Sequence, residues 1–202
     1  MRWDNFFQDL EDQLSAEWEA ERAALDSETE RLRIARLGLR DRIAALAADG
    51  ASVRLELSDE AVHEARLDAV GADWAAARLG DGSILLAPLA AITSLSLSGV
   101  SVVASAREGS AQPDRLAERV TFGFALRDLA RRRVAVTMGT TSGRNLSGTF
   151  DRVAADHADV ALHDHGTPRR EAEVRGYRII PLHAVAWVRV DVGEGTALAG
   201  RA

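Results

Sequence analysis

From about Asp4 to Ala48, apolar residues recur at helical spacing: Trp18, Leu25, Leu32, Leu39 and Leu46 stand seven apart, and Phe7, Leu10, Leu14, Ala35 and Ile43 widen the stripe. No proline interrupts this stretch, and Gly38 is its one glycine. The pattern predicts a long amphipathic helix over residues 1–48, in one piece or broken near Ser27 or Gly38. Unbroken, it would run ~65 Å at ~1.5 Å per residue. A stripe of this kind cannot be buried against itself, so it calls for a partner. Ala48-Asp49-Gly50 reads as the stop, with Gly50 free to take a left-handed cap.

The period then drops to two. Short strands are expected near Val53–Leu57, Val62–Val70, Trp74–Leu79, Ser83–Ala87 and Ala90–Leu95. Val70-Gly71-Ala72-Asp73 is expected to be a hairpin turn with Gly71 at a positive-φ position, and Asp81-Gly82 is a second turn. Five short, closely spaced strands predict a small β-barrel over 52–98. A linker over 99–131 follows. In it Val100–Val103 could extend a strand, Glu108-Gly109-Ser110 reads as loop, and a helix in two pieces is expected from Pro113-Asp114 through Leu116, Val120, Phe124, Leu126 and Leu129 to Arg131, with Thr121 capping the second piece.

A second strand set, over 132–192, echoes the first. Leu67 to Leu79 reads LDAVGADWAAARL, and Phe150 to Leu162 reads FDRVAADHADVAL. The strand before each copy alternates, Val53 to Leu57 and Val134 to Met138. After each comes Pro-Leu-x-Ala and then Ile or Val, at Pro88–Ile92 and Pro181–Val185. Three matched blocks in one order predict an internal repeat, with helix followed by barrel occurring twice. The second copy carries a longer excursion, His163 to Gly176, and residues 193–202 are expected to be a frayed tail.

Composition narrows the classes. There is no cysteine, which excludes disulfides and thiolate metal sites, and no lysine, which with abundant alanine suggests a high-GC bacterial genome. The net charge of -6 disfavours generic binding to nucleic acid or anionic lipid. No apolar run approaches a membrane span, and Met1-Arg2-Trp3-Asp4 lacks the order of a signal peptide, so a cytoplasmic protein without membrane contact is expected. Charge along the first helix is segregated. Asp9, Glu11, Asp12, Glu17, Glu19 and Glu21 precede Arg31, Arg33, Arg36, Arg40 and Arg42, which suits the helix dipole or antiparallel pairing of two copies.

Candidate chemistry is sparse. His163 and His165, with His157 or Asp159, could hold a metal ion, against the plainer reading of a solvated loop. His183 is expected to be packed or at a rim. Gly139 to Gly148 lacks the Gly-Lys-Ser/Thr ending of a phosphate loop and reads as a hairpin tip. Asp68 and Asp151 occupy matching positions of the two copies, so symmetry explains them better than acid/base work. Arg131, Arg132 and Arg133, beside Arg127, and Arg169, Arg170, Arg175 and Arg178 form two basic clusters that could track phosphates. Few aromatics interleave with them, so base stacking is poorly supported.

A helix followed by five short strands, with Gly148, Phe150 and Asp151 on the second strand and Ile-Pro-Leu-x-Ala-Val on the last two, resembles the Sm-like group of small barrels, the Sm and Hfq proteins. The resemblance implies a small barrel in each copy and edge-to-edge strand pairing. In that family an Asn after the apolar-Asp motif contacts RNA bases. Here Ala154, Ala155 and Asp156 stand in that region, and Tyr177-Arg178 only partly matches the second motif, so no RNA-contacting residue is carried over. Other SH3-like barrels share the pattern.

The expected protein is therefore α+β: a long N-terminal helix, then two small five-stranded Sm-like or SH3-like barrels joined by a helical linker and paired with each other inside one chain. The leading expectation is a non-enzymatic interaction or scaffold protein, without a cofactor. It would form a homodimer or bind a protein partner through Trp18, Leu25, Leu32, Leu39 and Leu46. The alternatives are an RNA-binding regulator working through the arginine clusters and, less favoured, a metal-dependent enzyme.

Overall fold

The computed structural model of the chain describes residues 2–107, 109, 117–166 and 169–191, with side chains in the first helix described at 13–19 and from 21 on. The tail over 193–202, the helical start at Pro113, Asp114 and Leu116, and the loop residues Glu108 and Ser110 lie outside the described residues, as do the side chains of Phe7 and Leu10. The chain divides into two units, Met1–Gly38 and Leu39–Ala202.

The first unit is one helix, α1 (Arg2–Arg36). It ends where the Leu37 N–H bonds back to the Ile34 carbonyl at 3.2 Å and Gly38 follows. Its apolar stripe is exposed, with Trp18 at 70%, Leu25 at 63% and Leu32 at 51%. The seven-residue spacing runs on through Leu39 and Leu46 in the second unit. Leu39 opens a second helix, α2 (Leu39–Ala48), and stays exposed, but Leu46 is 3% exposed beside Ile43 in the core of the second unit. Leu46 is thus a packing residue rather than a self-association residue.

Among its described residues the second unit carries ten strands: β1 (Ser52–Leu57), β2 (Val62–Val70), β3 (Trp74–Leu79), β4 (Ile84–Pro88), β5 (Ile92–Ser96), β6 (Ala135–Thr140), β7 (Asn145–Val153), β8 (His157–Leu162), β9 (Gly176–Pro181) and β10 (Val185–Val190). Between the two sets lie a short helix, α3 (Gly99–Ala104), and α4 (Phe122–Arg132). Where an extended strand was expected at Val100–Val103, the Ser98 hydroxyl accepts the Ser101 N–H at 3.1 Å and starts α3 instead. The Thr121 cap forms as expected, accepting from Phe124 N–H at 3.3 Å, and Asp73 adds a second acceptor, 2.6 Å from Phe122 N–H.

The sequence predicts two small five-stranded barrels paired with each other. The strands instead form one continuous ten-stranded sheet, in the order β5-β1-β2-β3-β4-β10-β6-β7-β8-β9, and it does not close into a barrel. Every pairing is antiparallel. The reason is the junction: β4 takes β10 as its neighbour, so the edges of the two halves are joined to each other.

The two halves are wired alike. Each has its fifth strand beside its first, then its second, third and fourth in turn. The second strand of each is bulged at the same aspartate, between Leu67 and Ala69 and between Phe150 and Arg152. The fifth strand meets the first with a register break in both. Ala51 N–H bonds to Leu46 O and Val134 N–H to Leu129 O; Leu89 N–H bonds to Asp73 O and Leu182 N–H to Asp156 O. A left-handed residue follows the helix before each half, Gly50 at φ 57° and Arg133 at φ 57°. One expected detail differs. Gly71 does not take a positive φ; a Cβ there would lie 2.1 Å from Trp74 Nε1 and 2.6 Å from Val120 O, so the need is for close approach.

The sheet has a core on each face. One lies under α2: Ile43, Leu46, Val53, Leu55, Leu57 and Leu67 with Leu85 and Ala87. The other lies under α4, whose buried Phe122, Ala125, Leu126 and Leu129 meet Val136, Met138, Phe150 and Val160. The middle strands serve both. On β4, Leu85 and Ala87 face the first core while Ile84 and Leu86 face the second. Alternation therefore survives on β1, whose residues are exposed and buried in turn, and is lost on β3, β4 and β10.

Candidate functional site

The junction of the halves is built by β4 and β10, with Val188 opposite Leu86, Arg189 opposite Leu85 and Val190 opposite Ile84. Ala186 and Trp187, on the bulged start of β10, enter the core of the first half. The Trp187 indole N–H donates to Asp59 at 2.7 Å, and its ring meets His63 edge-on at 5.7 Å. Gly139 leaves room for it, since a Cβ there would sit 2.2 Å from Trp187 Nε1. Arg189 closes the other end on Asp81 at 2.6 Å. Asp81 is held below its ordinary pKa, first by the Ser83 hydroxyl and then by Ser83 N–H. The His63 Nε2 is buried without a hydrogen-bond partner among the described residues, and burial pushes the His63 pKa down.

Among the described residues the sheet ends on two open edges, β5 and β9. β9 bears Tyr177 at 64% and Ile179 at 73% exposure. β5, Ile-Thr-Ser-Leu-Ser, has no charged residue. Neither edge was singled out from the sequence, because nothing in Gly-Tyr-Arg-Ile-Ile-Pro says which strand will lie last.

The predicted arginines are largely occupied. Arg131 and Arg132 both reach Asp128, the latter at 2.8 Å. Arg133 and Arg169, one from each predicted cluster, converge on Asp151 at 2.7 and 2.6 Å. The Arg169 hydrogen bond, with the charges of Arg169 and Arg133, holds the Asp151 carboxyl below its ordinary pKa. Arg175 pairs with Asp164. Arg170 and Arg178 are exposed and have no ion-pair partner among the described residues. The matched aspartates are therefore charge anchors: Asp68 pairs with Arg78 at 2.6 Å, as Asp151 does with its two arginines.

The histidines do not converge. His163 is buried, with Thr149 Oγ1 at 2.9 Å and Asp164 O at 3.0 Å. His165 lies between Thr137 Oγ1 at 3.1 Å and Asp191 at 3.1 Å. His157 bonds Asp156 at 2.7 Å and lines an open cleft of about 390 Å³ with Arg152, Val153, Ala154 and Asp159. No group of three or more His, Asp or Glu among the described residues is placed to hold a metal ion. His183 is exposed on the turn before β10. No helix among the described residues is long and apolar enough to cross a membrane. Comparison with protein-family models, with curated proteins and with solved structures finds no match for this chain.

Proposed function

We propose that this chain is a non-catalytic scaffold: two copies of a Sm-like five-stranded unit fused edge to edge, with an N-terminal helix that recruits a second helix. The observation that carries the reading is the matched wiring of the halves, strand order and bulged aspartate included, joined through β4 and β10. Function then resides in surfaces rather than in a reacting centre. The occupied arginines favour this over phosphate tracking, since a guanidinium bound to a carboxylate offers little net charge to a nucleic-acid backbone.

The exposed stripe of α1 is the first such surface. Trp18, Leu25 and Leu32 lie on one face of α1 at seven-residue spacing, and pairing with a second α1 would bury them. Acidic-to-basic polarity along α1 favours an antiparallel pair. Light scattering tests this on the full chain. The expected result is association that the triple variant Trp18→Glu/Leu25→Glu/Leu32→Glu weakens with no loss of folded stability. A full chain that stays monomeric at high concentration contradicts it, and a salt-sensitive complex with single-stranded RNA would favour the nucleic-acid reading instead.

A further inference from the structure

Each half turns from its second strand to its third through four matching positions, Gly71-Ala72-Asp73-Trp74 in the first and Ala154-Ala155-Asp156-His157 in the second. The two turns are built alike. Gly71 N–H bonds to Trp74 O and Ala154 N–H to His157 O, each at 2.8 Å. The aspartate carbonyl takes the N–H of the leucine after the fourth strand, Leu89 at 2.8 Å and Leu182 at 2.7 Å. An arginine from the preceding helix caps each turn, Arg40 on Gly71 O at 2.9 Å and Arg127 on Ala154 O at 3.1 Å.

The first turn is filled by a strap of this chain. Val120 O accepts the Ala72 N–H and the Trp74 indole N–H, both at 2.9 Å. Two residues on, Phe122 N–H donates to Asp73 Oδ1 at 2.6 Å. The turn thus reads backbone, a carbonyl and then an amide, and main-chain bonds of this kind are a general means of holding an extended peptide. The second turn presents the same groups without a strap. Among the described residues no backbone carbonyl accepts the Ala155 N–H. The Asp156 carboxylate is 87% exposed and pairs with the neighbouring His157 at 2.7 Å. His157 is smaller than the indole it replaces, and beside it lies the cleft of about 390 Å³ that it lines with Arg152, Val153, Ala154 and Asp159.

We propose that the turn at Ala154–His157 docks an extended segment of a partner polypeptide by its backbone, with a carbonyl on the Ala155 N–H and the His157 ring and the amide two residues on donating to Asp156. This rests on reading the halves as like units, and it gives the scaffold a partner of stated chemistry. The template argues for protein over nucleic acid: the first turn takes Val120 and Phe122 through their peptide groups. A phosphate offers no donor to Asp156 and would meet negative charge at Asp156 and Asp159. One difference loosens the grip. A Cβ at Gly71 would lie 2.6 Å from Val120 O, and Ala154 carries that Cβ, so a bound carbonyl sits farther out than Val120 O does. Docking at the second turn is therefore reversible, whereas the strap of the first is tethered by its own chain.

The strap's own sequence is the probe. The capped peptide acetyl-Arg-Val-Thr-Phe-Gly-Phe-amide, residues 119–124, is titrated into the isotope-labelled full chain and followed by amide NMR. Saturable shifts are expected at Ala155 and His157, with Ala72 unmoved. Asp156→Ala removes the acceptor from an exposed site, so folding is retained, and the dissociation constant is expected to rise about tenfold. The same peptide methylated on the nitrogen of its first Phe loses the donor without any change to the protein and is expected to bind about tenfold more weakly. Ala154→Gly removes the Cβ that the first turn lacks and is expected to tighten binding severalfold. No saturable shift at Ala155, equal binding of the methylated peptide, or shifts confined to Ala72 and Trp74 overturns the proposal, as does a single-stranded RNA that shifts Ala155 where the peptide does not. A chain that associates through Trp18, Leu25 and Leu32 yet ignores the peptide sinks this site alone and leaves the helix reading standing.

Discussion

β4 and β9 hold the same place in their halves and have opposite surroundings. β4 is sandwiched between β3 and β10, and from Ile84 to Ala87 every residue is buried. Among the described residues β9 leans on β8 alone, and of its residues only Ile180 is buried. Their sequences differ less than their burial does: Ile-Leu-Leu-Ala-Pro against Tyr-Arg-Ile-Ile-Pro. What separates them is a neighbour. The comparison teaches that two-sided apolarity on a strand of this unit is a statement about the strand beside it, and that the second half keeps part of that apolarity where no strand among the described residues arrives.

The comparison breaks hardest with a charge. Leu86→Asp buries an unpaired carboxylate between the two halves and is expected to cost about 3–5 kcal/mol or more in urea unfolding. Ile179→Asp, the same change at the matching place on β9, is expected to stay within about 0.5 kcal/mol in dilute solution. Equal costs would mean that β9 is covered. The next largest effect belongs to the Trp187 anchor. Trp187→Ala empties an aromatic site and strands Asp59, for an expected loss of about 3–5 kcal/mol. Trp187→Phe keeps most of the packing and loses the indole N–H, for about 1–2 kcal/mol. A two-step melt in the alanine variant would show the halves unfolding separately.

Smaller effects come from titration. His63 has its pKa lowered chiefly by burial beside Trp187, so folding disfavours its proton. Stability is full above the ordinary histidine value of about 6.5 and falls as pH drops from there through the lowered folded value. His63→Leu is expected to flatten that slope in pH-dependent thermal melts. Asp151 acts at lower pH, in the same sense. Its carboxylate is favoured in the fold by Arg169 first and Arg133 second. Its contribution is present above the ordinary aspartate value of about 3.9 and disappears as pH falls through the depressed one. Most of that pairing is near solvent, so Asp151→Asn is expected to cost only about 1 kcal/mol at neutral pH. No change in the acid limb of the stability curve for Asp151→Asn would remove Asp151 from the account.

Much of the strand pattern was legible because local alternation reports a half-buried strand directly. Val53, Leu55 and Leu57 mark β1, and Val62–Val70 and Trp74–Leu79 are β2 and β3 as expected. The Gly50 and Thr121 caps were legible for the same reason, being decided within a turn of helix. What depends on distant partners was not. β3 was placed at Trp74–Leu79, but that both faces of this Ala-rich strand are covered shows only in the sheet. Trp187 finds its acceptor at Asp59, at the far end of the strand order in sequence. Leu46 continues the stripe of Trp18, Leu25 and Leu32 in spacing, yet lies beyond the Gly38 break and belongs to a core. Arg133 and Arg169 looked free because their carboxylate, Asp151, comes from a different strand, whereas Asp128, one turn before Arg131 and Arg132 on α4, was within reach of helical spacing.

Amide hydrogen exchange compares the two edges in one measurement. In dilute solution the β4 amides directed at β10 should be protected and the β9 amides directed away from β8 should exchange freely. Outer β9 amides as protected as those of β4 would contradict the account.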